Sequence, residues 1–198
     1  MAVTRTGWLV IAVIFVLFAI PVAVVAANPS ISPLTTGIRI AGLTGFVALA
    51  GAMIMTPFLP EIYRNFGRPF LRIHHLFAVA GIVLVTLHPV LLAIRVMTVA
   101  VFLPAFGSLY EFFALGGRLA LILMYGALAG VFLRAAIPAG WRALHALMWV
   151  VLVLALLHGM LIGTDFREPL MGALFTTLTI AALGAFFAKR IKRRRTAV

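Results

Sequence analysis

All five histidines of this 198-residue chain fall in two apolar stretches, and each stretch holds them at two levels. Residues 72–90 read RIHHLFAVAGIVLVTLHPV, with His74 and His75 near one end and His88 near the other. Residues 141–163 read WRALHALMWVVLVLALLHGMLIG, with His145 and His158 in the matching places. A stretch of this kind can cross a bilayer, which takes about 20 apolar residues. An imidazole in hydrocarbon is costly unless partnered, so ionisable side chains at membrane depth are functional candidates by default. Two helices that each offer a histidine at two depths suggest two sites stacked across the membrane.

The elements that must position these side chains follow from composition. Hydrophobic residues make up 65% of the chain and charged residues 10%, with a mean hydropathy of +1.22. A soluble domain of this size cannot cover so much apolar surface with so few charges, so the class is an all-α integral membrane protein. The absence of cysteine excludes disulfides, iron–sulfur clusters and thiolate metal sites. A net charge of +12 would suit a nucleic-acid binder, but its distribution along the chain suits membrane topology instead.

Hydropathy predicts a six-helix bundle formed by a single membrane domain over 1–198, with spans at about 7–27, 40–59, 73–97, 118–133, 141–163 and 169–188 and no soluble domain. The first span also resembles a secretory signal peptide, with Arg5, an apolar run and VVAAN as a small-residue cleavage site. That run exceeds the usual signal core of about 7–15 residues, which favours a retained helix. Pro57 and Pro60 are expected to end the second span, and a basic loop, PEIYRNFGRPFLR, to follow it. Pro89 removes a backbone hydrogen bond beside His88 and should bend the third span. The connector 98–117 carries Phe102, Phe106, Tyr110, Phe112 and Phe113, a composition that suits an interfacial aromatic belt. The fourth span contains Gly126-x-x-x-Gly130, a spacing that permits close helix contact.

Positive charge then orients the chain. One side collects Arg5, Arg64, Arg68, Arg72, Arg134, Arg142 and the basic tail KRIKRRR (189–195), which together hold 12 of the 16 Lys+Arg. The other side holds Arg39, Arg95, Arg118 and Arg167. Both termini are expected to be cytoplasmic in a multi-pass inner or plasma membrane protein, with the tail as a topology and anionic-lipid anchor. The third and fifth spans then run parallel. His74 (or His75) and His145 share a cytoplasmic level, and His88 and His158 share an outer one. The levels lie roughly 20 Å apart along a helix.

Pairing across the two helices at each level would supply two axial imidazoles to an iron, the geometry of a haem. His74 and His88 are 14 residues apart, about 3.9 turns, and share a face. His145 and His158 are 13 apart, about 3.6 turns, so a bulge, bend or tilt is needed to turn both inward. A bare metal ion is disfavoured, because the four acids (Glu61, Glu111, Asp165 and Glu168) fall in loops or at interfaces.

His74-x13-His88, His145-x12-His158 and the motif WRALHALMW (141–149) resemble the ferric reductase-like transmembrane domain superfamily. That superfamily includes NADPH oxidases, ferric reductases and the haem-binding membrane subunit of the periplasmic methionine sulfoxide reductase system. The resemblance covers nearly the whole chain. It implies two b-type haems, one on His74 with His145 and one on His88 with His158, passing electrons outward. It further implies that the 13-residue step on the fifth span is tolerated. Arg72 and Arg142 are then candidates to pair with the inner propionates, as Arg95, Arg118 and Arg167 are for the outer haem. Trp149 and Phe77 are candidates to pack on porphyrin.

Oxidases and ferric reductases carry a fused domain for FAD and NADPH, whereas this chain ends nine residues after Lys189 with no nucleotide-binding fingerprint. In this it resembles the sulfoxide reductase subunit, while its inner third-span histidine resembles the oxidase and reductase branch. The expectation is the electron-transfer membrane subunit of an oxidoreductase. Its donor would be a separate flavoprotein or a quinol, with any flavin on that partner or at the membrane surface. Its acceptor would lie on the periplasmic or extracellular side. The alternative is a transporter or channel that moves protons or metal over its histidines. That alternative predicts a polar path through the other spans, whose few polar residues are Thr44, Thr56, Tyr125, Thr176, Thr177 and Thr179.

Overall fold

The computed structural model describes residues 3–195, with side chains described as far as residue 188. The basic side chains of the tail at 189–195 therefore lie outside the described residues. Among the described residues the chain is mostly helical and contains no strand. Six stretches are long and apolar enough to cross a membrane: Arg5–Ala27, Pro33–Ile54, Phe70–Val96, Gly116–Ala135, Trp141–Ile162 and Pro169–Ala188. The protein is a multi-pass membrane protein on this count.

The chain forms two compact units, one of Met1–His88 with Leu174–Val198 and the other of Pro89–Ala173. The first holds α1 (Arg5–Ala27), α2 (Pro33–Ile54), α3 (Leu59–Phe66), the larger part of α4 (Phe70–Val96) and most of α9 (Pro169–Arg195). Its core helix is α2, of which 67% of the apolar window is buried, against 6% for α4. Small residues make this possible, since in lipid close backbone approach replaces the hydrophobic drive. A Cβ on Gly45 would stand 2.8 Å from Val85, and one on Gly81 would stand 2.7 Å from Leu49, so α2 and α4 meet backbone to side chain. On another side of α2, Phe46 packs on Phe175 of α9 with ring centroids 4.8 Å apart.

The second span departs most from the sequence expectation. It begins at Pro33 rather than near Ile40 and ends at Ile54 rather than Leu59. Ser32 caps it, its side chain accepting from the Thr35 N–H, and Pro33 occupies the first turn, where its missing N–H costs nothing. The basic loop is also partly helical. Within it α3 starts with a proline in its first turn, carries Glu61 there, and stops at Gly67, whose φ of 59° is the left-handed conformation glycine adopts cheaply.

The start of α1 is tied to the end of α3. Thr4 caps α1 through the Gly7 N–H, and its own N–H and hydroxyl donate to the backbone and side-chain oxygens of Asn65 at 3.0 and 2.7 Å. Thr4→Ala removes a cap and a tie between helices, and should lower stability by about 1 kcal/mol. A thermal scan in detergent checks this; an unchanged midpoint would show that α1 needs neither.

The second unit holds α5 (Leu109–Ala114), α6 (Gly116–Phe132), α7 (Trp141–His145) and α8 (Leu147–Ile162). Helix α6 packs on α7 and α8, and α5 packs on α8. In the expected glycine pair, Gly130 faces α7, where a Cβ would stand 2.7 Å from Leu144, while Gly126 meets nothing within 4 Å. The aromatic connector contains two short helical pieces, a 3-10 turn (Val99–Phe102) and α5, capped by Thr98 and Ser108. The fifth span is broken between α7 and α8 at Ala146, one residue after His145. By contrast α4 is continuous helix through Pro89.

Candidate histidine ligand site

Three of the four expected ligands share one local construction. On α4, His74 Nδ1 lies 3.0 Å from the carbonyl oxygen of Ala52, and His88 Nδ1 lies 2.9 Å from that of Ile38. On α8, His158 Nδ1 lies 2.7 Å from the carbonyl oxygen of Ala114. A carbonyl can only accept, so in each case Nδ1 carries the proton and donates it. In a neutral imidazole this leaves Nε2 as the basic nitrogen. Donation of the other ring N–H to a backbone carbonyl is how metal-ligating histidines have tautomer and ring orientation fixed, and it raises the ligand's basicity.

The accepting carbonyls have a physical reason to be available. Ala52 lies in the last turn of α2 and Ala114 ends α5. Helix C-termini leave their last four carbonyls without an intrahelical donor. His74 and His158 therefore satisfy helix ends while being held in place.

The two adjacent histidines of α4 are now distinguished. His74 is half-buried, bonded to Ala52 and stacked on Phe70 with ring centroids 5.3 Å apart, whereas His75 is exposed. His145 is half-buried, with its Nδ1 atom out of solvent. The interruption that follows it, at Ala146, keeps right-handed helical backbone angles and lies between the two histidines of this span.

The expected supporting residues divide. Arg142 is exposed and holds its guanidinium 5.1 Å over the Trp141 ring. Arg72, Arg95 and Arg167 are exposed, and Arg118 donates to the Leu103 carbonyl at 2.9 Å, which fixes the connector rather than a ligand. Phe77 packs beside Phe18, with centroids 6.3 Å apart, and close to Gly51. Trp149 is half-buried on α8. Among the described residues no group of three or more His, Cys, Asp or Glu comes together as a metal cluster would.

Two of the six polar residues counted in the other spans, Thr44 and Thr179, are engaged locally. Thr44 donates to Ile40 at 2.6 Å and Thr179 to Phe175 at 2.8 Å, each to a carbonyl one turn back in its own helix. Thr86 on α4 does the same to Ile82 at 2.7 Å.

Spacing alone could not have found the three carbonyl partners, which lie 22, 50 and 44 residues away from their histidines. No known family model, characterised protein or solved structure matches the chain.

Proposed function

We propose that this protein is a dihaem b-type membrane cytochrome of the ferric reductase-like kind. Electrons would pass from a separate flavoprotein or a quinol at the cytoplasmic side to an acceptor on the outer side. The observation that carries the reading is the set of histidines whose Nδ1–H is given to a main-chain carbonyl, leaving Nε2 as the ligand nitrogen. A neutral imidazole in this tautomer is the donor a haem iron takes. His74, His88, His145 and His158 would hold the two groups, His74 with His145 and His88 with His158, as the resemblance to the ferric reductase-like superfamily implies. A bis-imidazole haem supplies a reversible one-electron carrier. The chain's own part is to fix ring orientation through Ala52, Ile38 and Ala114, and to keep water from the ligands with apolar helices.

The test is the reduced-minus-oxidised visible spectrum of the purified protein with a haem-to-protein ratio. A b-type signal at about two haems per chain is expected from four ligating histidines. Protein made with ample haem supply that carries none would sink the proposal and return the histidines to proton or metal transport.

A further inference from the structure

The donor–acceptor pairs at His88 and His158 share a second feature. In an α-helix each Cβ leans toward the N-terminus, so the side chain one turn on from a carbonyl flanks that carbonyl. A donor from another element can reach it only where the flanking residue is small or the helix has ended. His74 uses the second route, since its acceptor Ala52 lies in the last turn of α2. His88, whose acceptor Ile38 lies well inside α2, uses the first, and His158 combines the two, since its acceptor Ala114 ends α5 and a glycine follows it. The residue a turn beyond Ile38 is Gly42, and a Cβ built there would stand 2.8 Å from Nδ1 of His88 and 3.2 Å from its Cε1. Three residues beyond Ala114, in the first turn of α6, stands Gly117, and a Cβ built there would lie 2.9 Å from Cδ2 and 3.1 Å from both Cγ and Nε2 of His158. Neither ring can retreat freely, because each is held by its Nδ1 bond at 2.9 or 2.7 Å.

We infer that Gly42 and Gly117 are positioning residues for the two outer histidines, each leaving the room against its helix that the aimed ring occupies. The inference rests on the haem reading and extends it to residues that touch no haem. The two glycines act on different edges. Alanine at 42 presses on the hydrogen-bonded edge of His88 and should turn the ring. Alanine at 117 presses on Cδ2, with Cγ and Nε2 equally near at 3.1 Å, so it should displace the side of the ring away from the Nδ1 bond and is expected to be the more damaging of the two. Elsewhere a methyl is a matter of packing: Gly81 collides with Leu49, and Gly126 meets nothing.

The experiment compares Gly42→Ala, Gly117→Ala, Gly81→Ala and Gly126→Ala with wild type. Its readouts are the low-spin ferric EPR spectrum, a redox titration and thermal unfolding of the haem-loaded protein. For Gly42→Ala the expected result is a shifted EPR signal and potential for one haem, with the other unchanged. For Gly117→Ala it is loss or a larger shift of that same signal. Gly81→Ala should lower the unfolding midpoint and leave both signals in place, and Gly126→Ala should match wild type. Gly42 and Gly117 lie in different units, so if one variant fails to accumulate the other still decides. If both variants lose stability as Gly81→Ala does and keep both signals at wild-type positions, the glycines are packing residues and the inference is overturned. A wild type without haem overturns it together with the haem reading, an outcome the wild-type spectrum separates from the last.

Discussion

On the dihaem reading, His158→Ala is expected to reduce the haem-to-protein ratio from about two to about one, since it would remove an axial imidazole from one site only. On the same reading, electron transfer from a reduced donor to an outer acceptor should be abolished, not halved, because two sites in series would have no bypass. The same substitution removes the donor at 2.7 Å from the Ala114 carbonyl, so a modest loss of stability should accompany it. His75→Ala is the matched control. His75 is exposed beside a histidine that is bonded and stacked, and its replacement should leave ratio and spectrum unchanged. Pyridine haemochrome quantitation of purified protein reads both. A ratio unmoved by His158→Ala would remove that histidine from the ligand set.

Phe175→Ala should be the most destabilising single truncation in the first unit, at about 3–5 kcal/mol. Phe175 is 1% exposed, and its ring sits 4.8 Å from that of Phe46, which is 5% exposed. The methyl left behind cannot fill a space enclosed by α2 and α9, and the surrounding helices relax only in part. Phe187 on the same helix is 59% exposed, and Phe187→Ala should change stability by no more than about 0.5 kcal/mol. Unfolding midpoints in one detergent compare the two directly. Equal losses would mean that α9 is held by its lipid-facing side chains rather than by its contact with α2.

The helices were legible from hydropathy because a bilayer demands long apolar runs, and each expected span has a counterpart in the structure. The edges were less legible. The start of α2 was masked by Thr35, Thr36, Gly37 and Arg39, which lower hydropathy, although Ser32-Pro33 was a readable cap-and-first-turn signal. Helix α3 hid among basic residues despite its early proline and its closing Gly67. At the site, the histidines stood out by type and depth. Their orienting partners did not, because a carbonyl has no letter of its own and each lies more than 20 residues from its ring. Gly42 and Gly117 were unreadable for a related reason: glycine is common in membrane helices, and only contact with an imidazole sets these two apart.

Thr44, Thr86 and Thr179 return their hydroxyl protons to their own helices. A hydroxyl engaged in this way is poorly placed to relay a hopping proton. On the proposed reading, an electron that crosses would do so without a compensating proton carried by those hydroxyls. Each turnover would then move net charge through the membrane field, at about 2.3 kcal/mol per elementary charge per 100 mV. Voltage would become a reactant: turnover in sealed vesicles would slow as charge accumulates, and an ionophore that collapses the potential would restore it.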